Sequence, residues 1–227
     1  MSKINKTCSI LFSFFLVLAT IITIIDFHCF DSNFYHNEYT KLNTAKSIGV
    51  SDISLDIMTD TLLDYLKDIR DDLNLQLEVN GQKREIFDYR EKTHMVDVKD
   101  LYTKAIFIRN MSIIFSLCSL VVLIFNDEFT NLKQGYLKSL SFYGFIFGFI
   151  GLFCLIDFNS FWINFHKIFF TKNDYWLLDP RTEILIQMVP GQFFFDLCIR
   201  IVITIFIFLV IYYFVFKYID KKVRTND

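Results

Sequence analysis

Four helix-length apolar runs, at about 8–30, 104–125, 137–158 and 193–216, restrict what this chain can fold into more than any other feature. A bilayer core ~30 Å thick takes about 20 apolar residues per helical crossing. Ile106–Phe125 and Phe193–Phe216 meet that length with few charges. The first run follows Lys3 and Lys6 as a signal peptide would, but Asp26-Phe27-His28-Cys29-Phe30 offers no small-x-small cleavage site. It reads as an uncleaved first helix. The expected fold is a mainly α membrane protein with four transmembrane helices.

Hydrophobic residues make up 53% of the chain, yet 21% are charged, too many for a bare helical bundle. The charges collect in 31–104 and at the chain ends, so a bundle carrying one hydrophilic insertion fits better. A net charge of −2 indicates no basic face for nucleic acid. Five cysteines lie in or beside the apolar runs, with no C-x-x-C spacing and none in the polar insertion. They read as small apolar side chains rather than as disulfides or zinc ligands.

Short basic segments set orientation. Lys3 and Lys6 precede span one, Lys133 and Lys138 join spans two and three, and Lys217, Lys221, Lys222 and Arg224 follow span four. An even number of spans puts all three on one side, the cytoplasm. Residues 31–104 and 159–192 then face outward. In the first of these, Ser51 can cap a helix through Ile57, Leu62, Leu66, Ile69 and Leu73. Leu75, Leu77 and Val79 alternate before Asn80-Gly81, the strongest two-residue hairpin signal, and 82–87 supply the return strand. The expectation is a small α+β extracytoplasmic cap at 31–104, between helices 1 and 2, and an interfacial segment at 159–192.

All four histidines map to the outer side. Thr93 is a good N-cap, which would place His94 in the first turn of a helix leading into span two. There the macrodipole disfavours imidazolium while Asp97 favours it, so the ring is poised to act as a base near neutrality. An interfacial histidine with its polar tip in water is the plainer alternative. His166 lies in the aromatic stretch Phe161–Phe170, as expected of a segment in the headgroup layer, either in a polar niche or aimed at a headgroup. His28 and His36 have no supporting motif. Asp196 and Arg200, at i and i+4, are expected to pair near the outer end of span four. Asp179-Pro180 predicts a turn, and Pro190 marks the entry to span four. No nucleophile elbow, H-E-x-x-H motif, kinase signature or P-loop is present. Proton transfer by two histidines in acyl or phosphoryl exchange is the chemistry these residues admit.

Four stretches together, Phe34–Tyr39, Thr93-His94-Met95-Val96-Asp97-Val98-Lys99, Phe165–Phe170 and Trp176-Leu177-Leu178-Asp179-Pro180, resemble the bacterial lipoprotein intramolecular transacylase (Lit) family over nearly the whole chain. The resemblance implies a cell-membrane acyltransferase acting on diacylglyceryl-modified lipoproteins among the membrane lipids. It would move the sn-2 acyl chain of the diacylglyceryl cysteine to the α-amino group, leaving a lyso-form lipoprotein. The implied catalytic residues are His94 and His166, with Asp97 and Asp179 in support and no cofactor or metal. On the macrodipole argument His94 is the base, with His166 positioning the ester or stabilising its oxyanion. The competing reading from another class is a non-catalytic membrane sensor or assembly factor with a pH- or ligand-responsive outer cap.

Overall fold

The structure, a computed structural model, describes residues 3–126 and 129–226. The side chains of Lys3 and Arg224, both counted in the orientation argument, lie outside what is described. Four helices are long and apolar enough to cross a membrane: α1 (Lys3–Cys29), α5 (Tyr89–Phe125), α6 (Leu132–Ile156) and α9 (Gly191–Asn226). Between them lie α2 (Ser32–Leu42), α3 (Thr44–Ile48), α4 (Asp52–Leu66), the strands β1 (Gln76–Val79) and β2 (Gln82–Glu85), α7 (Phe158–Phe169) and α8 (Ile184–Met188). The chain divides into two compact units. One comprises residues 1–27, 105–158 and 199–227, the other 28–104 and 159–198.

The first unit holds the apolar stretches of the four long helices. Its buried centre is Phe12, Val17, Ile21, Leu123, Leu132, Tyr136, Tyr143 and Phe216, while Phe107, Phe145, Phe149 and Phe206 point outward, as lipid-facing side chains do. Lipid competes with apolar contacts between helices, so small residues and hydroxyls carry their association. Ser116 donates to the Phe12 carbonyl at 3.2 Å, Tyr143 to that of Phe14 at 3.1 Å, and Tyr136 to that of Leu209 at 2.5 Å. At Gly135 the α1 and α6 backbones meet so closely that a Cβ would stand 2.5 Å from the Ser9 carbonyl oxygen.

The second unit holds the remaining elements. Ser51 caps α4, accepting from the Ser54 N–H at 3.0 Å, as expected. The predicted apolar face is displaced, however. Leu55, Met58, Leu62 and Tyr65 are buried while Ile57 and Ile69 are exposed, and α4 stops at Leu66, just before Asp68 takes a positive φ. The hairpin pairs Val79 with Gln82, and Asn80 (φ 52°) and Gly81 (φ 76°) make the positive-φ turn that Asn-Gly favours. Sequence reading left α2 and α3 unassigned. Phe34 and Tyr39 of α2 bury their rings with Tyr35 around Phe193, centroids 5.0–6.1 Å away.

Two elements place the site. α5 has 37 residues, ~55 Å of helix against a ~30 Å hydrocarbon layer. Its charges (Arg90, Glu91, Lys92, Asp97, Lys99, Asp100, Lys104) all precede Ala105 except Arg109, which pairs with Asp26 at 2.8 Å. The excess length therefore belongs to the N-terminal turns, outside the hydrocarbon. α7 is a short amphipathic helix that buries His166 and exposes Ile168 and Phe169.

Candidate active site

α5 begins at Tyr89, four residues before the expected cap. Asp88 accepts from the Glu91 N–H at 2.9 Å, and Glu91 returns a carboxylate oxygen to the Asp88 N–H at 2.6 Å. This reciprocal pair is a capping box, and the Asp-x-x-Glu pattern before an apolar run was its sequence signal. Thr93 is inside the helix, donating to the Tyr89 carbonyl at 2.7 Å. His94 therefore sits in the second turn, where the macrodipole has largely faded. The premise that made it the base is lost.

The two sequence-predicted histidines come together. Their ring centroids are 5.9 Å apart, and His94 and His166 are 7% and 8% exposed. The Phe170 ring touches both, at 5.0 and 5.3 Å. His166 is further enclosed by Trp162 at 4.8 Å and Trp176 at 5.2 Å. Its Nδ1 lies 2.8 Å from the Trp162 carbonyl oxygen. A carbonyl can only accept, so Nδ1 carries the proton and the neutral ring keeps its lone pair on Nε2.

Burial lowers both rings, because charge is costly away from water. His94 falls to about 4, through burial first and the neighbouring His166 second, with Asp97 opposing. His166 is also lowered by burial, against the raising effect of its bond to the Trp162 carbonyl. His94 is thus a neutral imidazole throughout the physiological range. Asp97, one turn beyond it, accepts from Asn173 Nδ2 at 3.1 Å and lies 3.6 Å from Lys172 Nζ.

One face of α5, residues 90, 91, 94 and 97, faces the segment 172–185. Arg90 donates to the carbonyls of Leu177 at 2.8 Å and Asp174 at 3.3 Å, and lies 3.4 Å from Glu183. Glu91, 1% exposed, accepts the Leu185 N–H at 2.6 Å with its other oxygen. Burial pushes its carboxyl up to about 7 despite the two N–H donors. Sequence reading overlooked Arg90 and the Glu91 bond to Leu185, since those partners lie more than 80 positions away.

The other expectations fare differently. Asp179 does start a turn, its carbonyl accepting from the Thr182 N–H at 3.1 Å. Its carboxylate is gripped by Arg181, at 2.6 Å from Nη2, which draws it down to about 2. No described contact joins it to either histidine. His36 is exposed on α2 and His28 is buried near the end of α1, and neither touches the pair among the described contacts. Asp196 takes Lys41 as an ion-pair partner at 2.5 Å, one the sequence did not suggest, and accepts from Gln192 at 3.1 Å. Among the described residues no group of three His, Cys, Asp or Glu side chains could hold a metal ion.

The fold resembles that of the membrane-integral lipoprotein intramolecular transacylase Lit from Bacillus cereus. The two align at 19% identity with a TM-score of 0.82, over 99% of this chain and 100% of that one. Two forms of the Bacillus cereus protein with a histidine replaced, by arginine or by alanine, give TM-scores of 0.77 and 0.76 at 19% and 20% identity. They cover 98% and 97% of this chain, and 95% and 96% of theirs. Comparison with curated proteins gives no match. At such identity the structures speak for the fold alone. The sequence profile of one family, described as lipoprotein intramolecular transacylase Lit, matches residues 10–194. That match takes in both histidines and far more than half of the 227 residues, and it makes this multi-pass membrane protein a member of the Lit family of lipoprotein intramolecular transacylases.

Proposed function

We propose that His94 and His166 together perform this transfer on a lipoprotein whose N-terminal cysteine carries a diacylglyceryl thioether. The carrying observation is the buried pair of imidazoles, centroids 5.9 Å apart. The α-amino nitrogen attacks the carbonyl carbon of the sn-2 ester, and its proton passes to Nε2 of His166, the lone pair left by the Nδ1 bond to Trp162. Neutral His94 donates an N–H to the developing oxyanion. The intermediate then expels the sn-2 oxygen, which takes the proton back from His166. An amide replaces the ester, a hydroxyl is left on the glyceryl group, and neither water nor an acyl-enzyme enters the balance. Amine and ester belong to one molecule, so holding them together supplies effective molarity. Incubating the purified protein with a synthetic diacylglyceryl lipopeptide tests the reading. Tandem mass spectrometry should find one acyl chain moved to the amine with total mass unchanged. Recovery of unaltered peptide under conditions where the protein is folded would refute it.

The site works on the extracytoplasmic side in this reading, supported by the short Lys-rich segments around the other helix ends. Lys83, exposed on β2, reports the side. With the five native cysteines replaced, Lys83→Cys should react with an impermeant maleimide in intact cells. Labelling only after lysis would reverse the orientation.

A further inference from the structure

The chain has two tryptophans, and both lie against His166. Trp162 precedes it by one turn of α7, with ring centroids 4.8 Å apart and planes crossing at 67°. Trp176 comes from the segment after α7, 5.2 Å away and only 30° from parallel. Each is fixed by contacts of its own. Trp162 stacks on Phe194 at 4.2 Å and on Phe165 at 5.5 Å. Trp176 sits in a short turn in which the Leu177 N–H donates to the Asp174 carbonyl, and Arg90 donates to the Asp174 and Leu177 carbonyls.

Apolar packing alone does not call for indole at both places, since Phe fills comparable space in the rest of this shell. Indole does offer the most negative ring face of any side chain, and a cation within about 6 Å of its centroid is attracted to it. Both indole centroids lie inside that distance of the His166 ring centroid, Trp176 tilted toward parallel and Trp162 edge to face. We infer that Trp162 and Trp176 stabilise the His166 imidazolium formed while the substrate amine gives up its proton, offsetting by cation–π attraction the burial that disfavours it. They act through His166, and the inference rests on the proposed role of His166 as the base. The titratable group facing His166 from α5 is His94. Asp97 acts on His94 and is itself engaged by Lys172 and Asn173. Among the described contacts no carboxylate pairs with the His166 ring, so the two indoles supply the attraction a carboxylate would otherwise give.

Two tryptophans and no others make the test clean. Biosynthetic replacement of tryptophan by mono-, di- and trifluorotryptophan withdraws charge from the ring faces in steps and keeps their shape. The His166 titration is read by NMR of protein labelled with 15N-histidine, assigned with His166→Gln. Across the series its pKa should fall by about one unit, and the plateau kcat on the lipopeptide by about tenfold. The acid limb of the kcat–pH profile should move to lower pH by the same amount. A structural role would lower the plateau and leave the limb in place. A His166 pKa that does not move with fluorination overturns the inference. A falling pKa with unchanged kcat overturns the catalytic role and places the fault in the choice of base. Should the native protein yield no lyso product, the transacylase reading fails alone, and the titration still decides whether the indoles hold the imidazolium. Trp176→Leu, which removes the nearer-parallel ring, should reproduce the pKa fall.

Discussion

Replacing His166 with glutamine should abolish most lyso-lipopeptide formation, by a factor of ~10²–10⁴, the usual worth of a positioned general base. Glutamine can still donate to the Trp162 carbonyl, so the helix keeps its bond while the Nε2 lone pair is gone. His94 should respond differently. As a neutral donor it can be partly replaced by the amide N–H of glutamine, so His94→Gln should retain more activity than His94→Ala. The alanine variant should lose ~10²-fold or more, as for one oxyanion donor. The pH dependence separates the roles further. A base must be unprotonated, and burial holds His166 below the ordinary histidine value of 6.5. Activity is therefore lost as pH falls through that lowered pKa, an acid limb separate from the one near pH ~8 that belongs to the substrate's α-amino group, which attacks only as the free base. In His94→Ala the acid limb should persist, because the titrating group remains. In His166→Gln the residual rate should lose the limb. Initial rates from pH 4.5 to 9 on a synthetic lipopeptide decide it, and full turnover by His166→Gln excludes that ring as the base.

Gly135→Leu should cost the first unit more stability than any other single glycine substitution there. A Cβ at this position would lie 2.5 Å from the Ser9 carbonyl oxygen, 2.7 Å from its carbon and 3.0 Å from the Ile10 nitrogen. All three are backbone atoms of α1, so no side chain can rotate away. The helices must separate, taking with them the bonds that Ser139 and Tyr143 make from α6 to the Ile10 and Phe14 carbonyls. Overpacking of this kind costs ~1–3 kcal/mol in soluble cores, and lost interhelical bonds add ~0.6 kcal/mol each in a bilayer. For a chain of this size that is a fall of roughly 4–17 °C in Tm. Gly148, on the same helix with open space at its Cβ, is the control. Gly148→Leu should melt at or above the native temperature, helped by better helix propensity. Equal melting of the two variants in size-exclusion thermostability assays would remove the close helix crossing.

Apolar run length, charge placement and local turn chemistry act over a few residues or one bilayer thickness, and they were legible in the chain as written. Four long helices cover the four apolar runs, though α5 starts well before its run, and the Ser51 cap, the Asn80-Gly81 hairpin and the start of α9 after Pro190 follow their local signals. The two histidines were named as catalytic by resemblance alone, and the Thr93 cap put His94 a turn too early. Boundaries failed where two local signals competed. Thr93 and Asp88 are both competent caps, and Asp88 prevails because Glu91 closes the box and is itself bonded to Leu185 from a distant segment. α2 was missed because its apolar face, Phe34 and Tyr39, only becomes a face once Phe193 is beside it.

By itself, then, the sequence determined the solvent, the number of long helices and the family, since each is written in runs of consecutive residues. Tertiary structure alone decided the rest: that the imidazoles share one buried shell, which nitrogen of His166 is free, and that both indoles turn toward it. It also decided that Asp196 pairs with Lys41, 155 positions away. The reason is physical. Desolvation, ring contact and ion pairing depend on what lies within about 6 Å in space, and at this site those neighbours come from three separate stretches of chain.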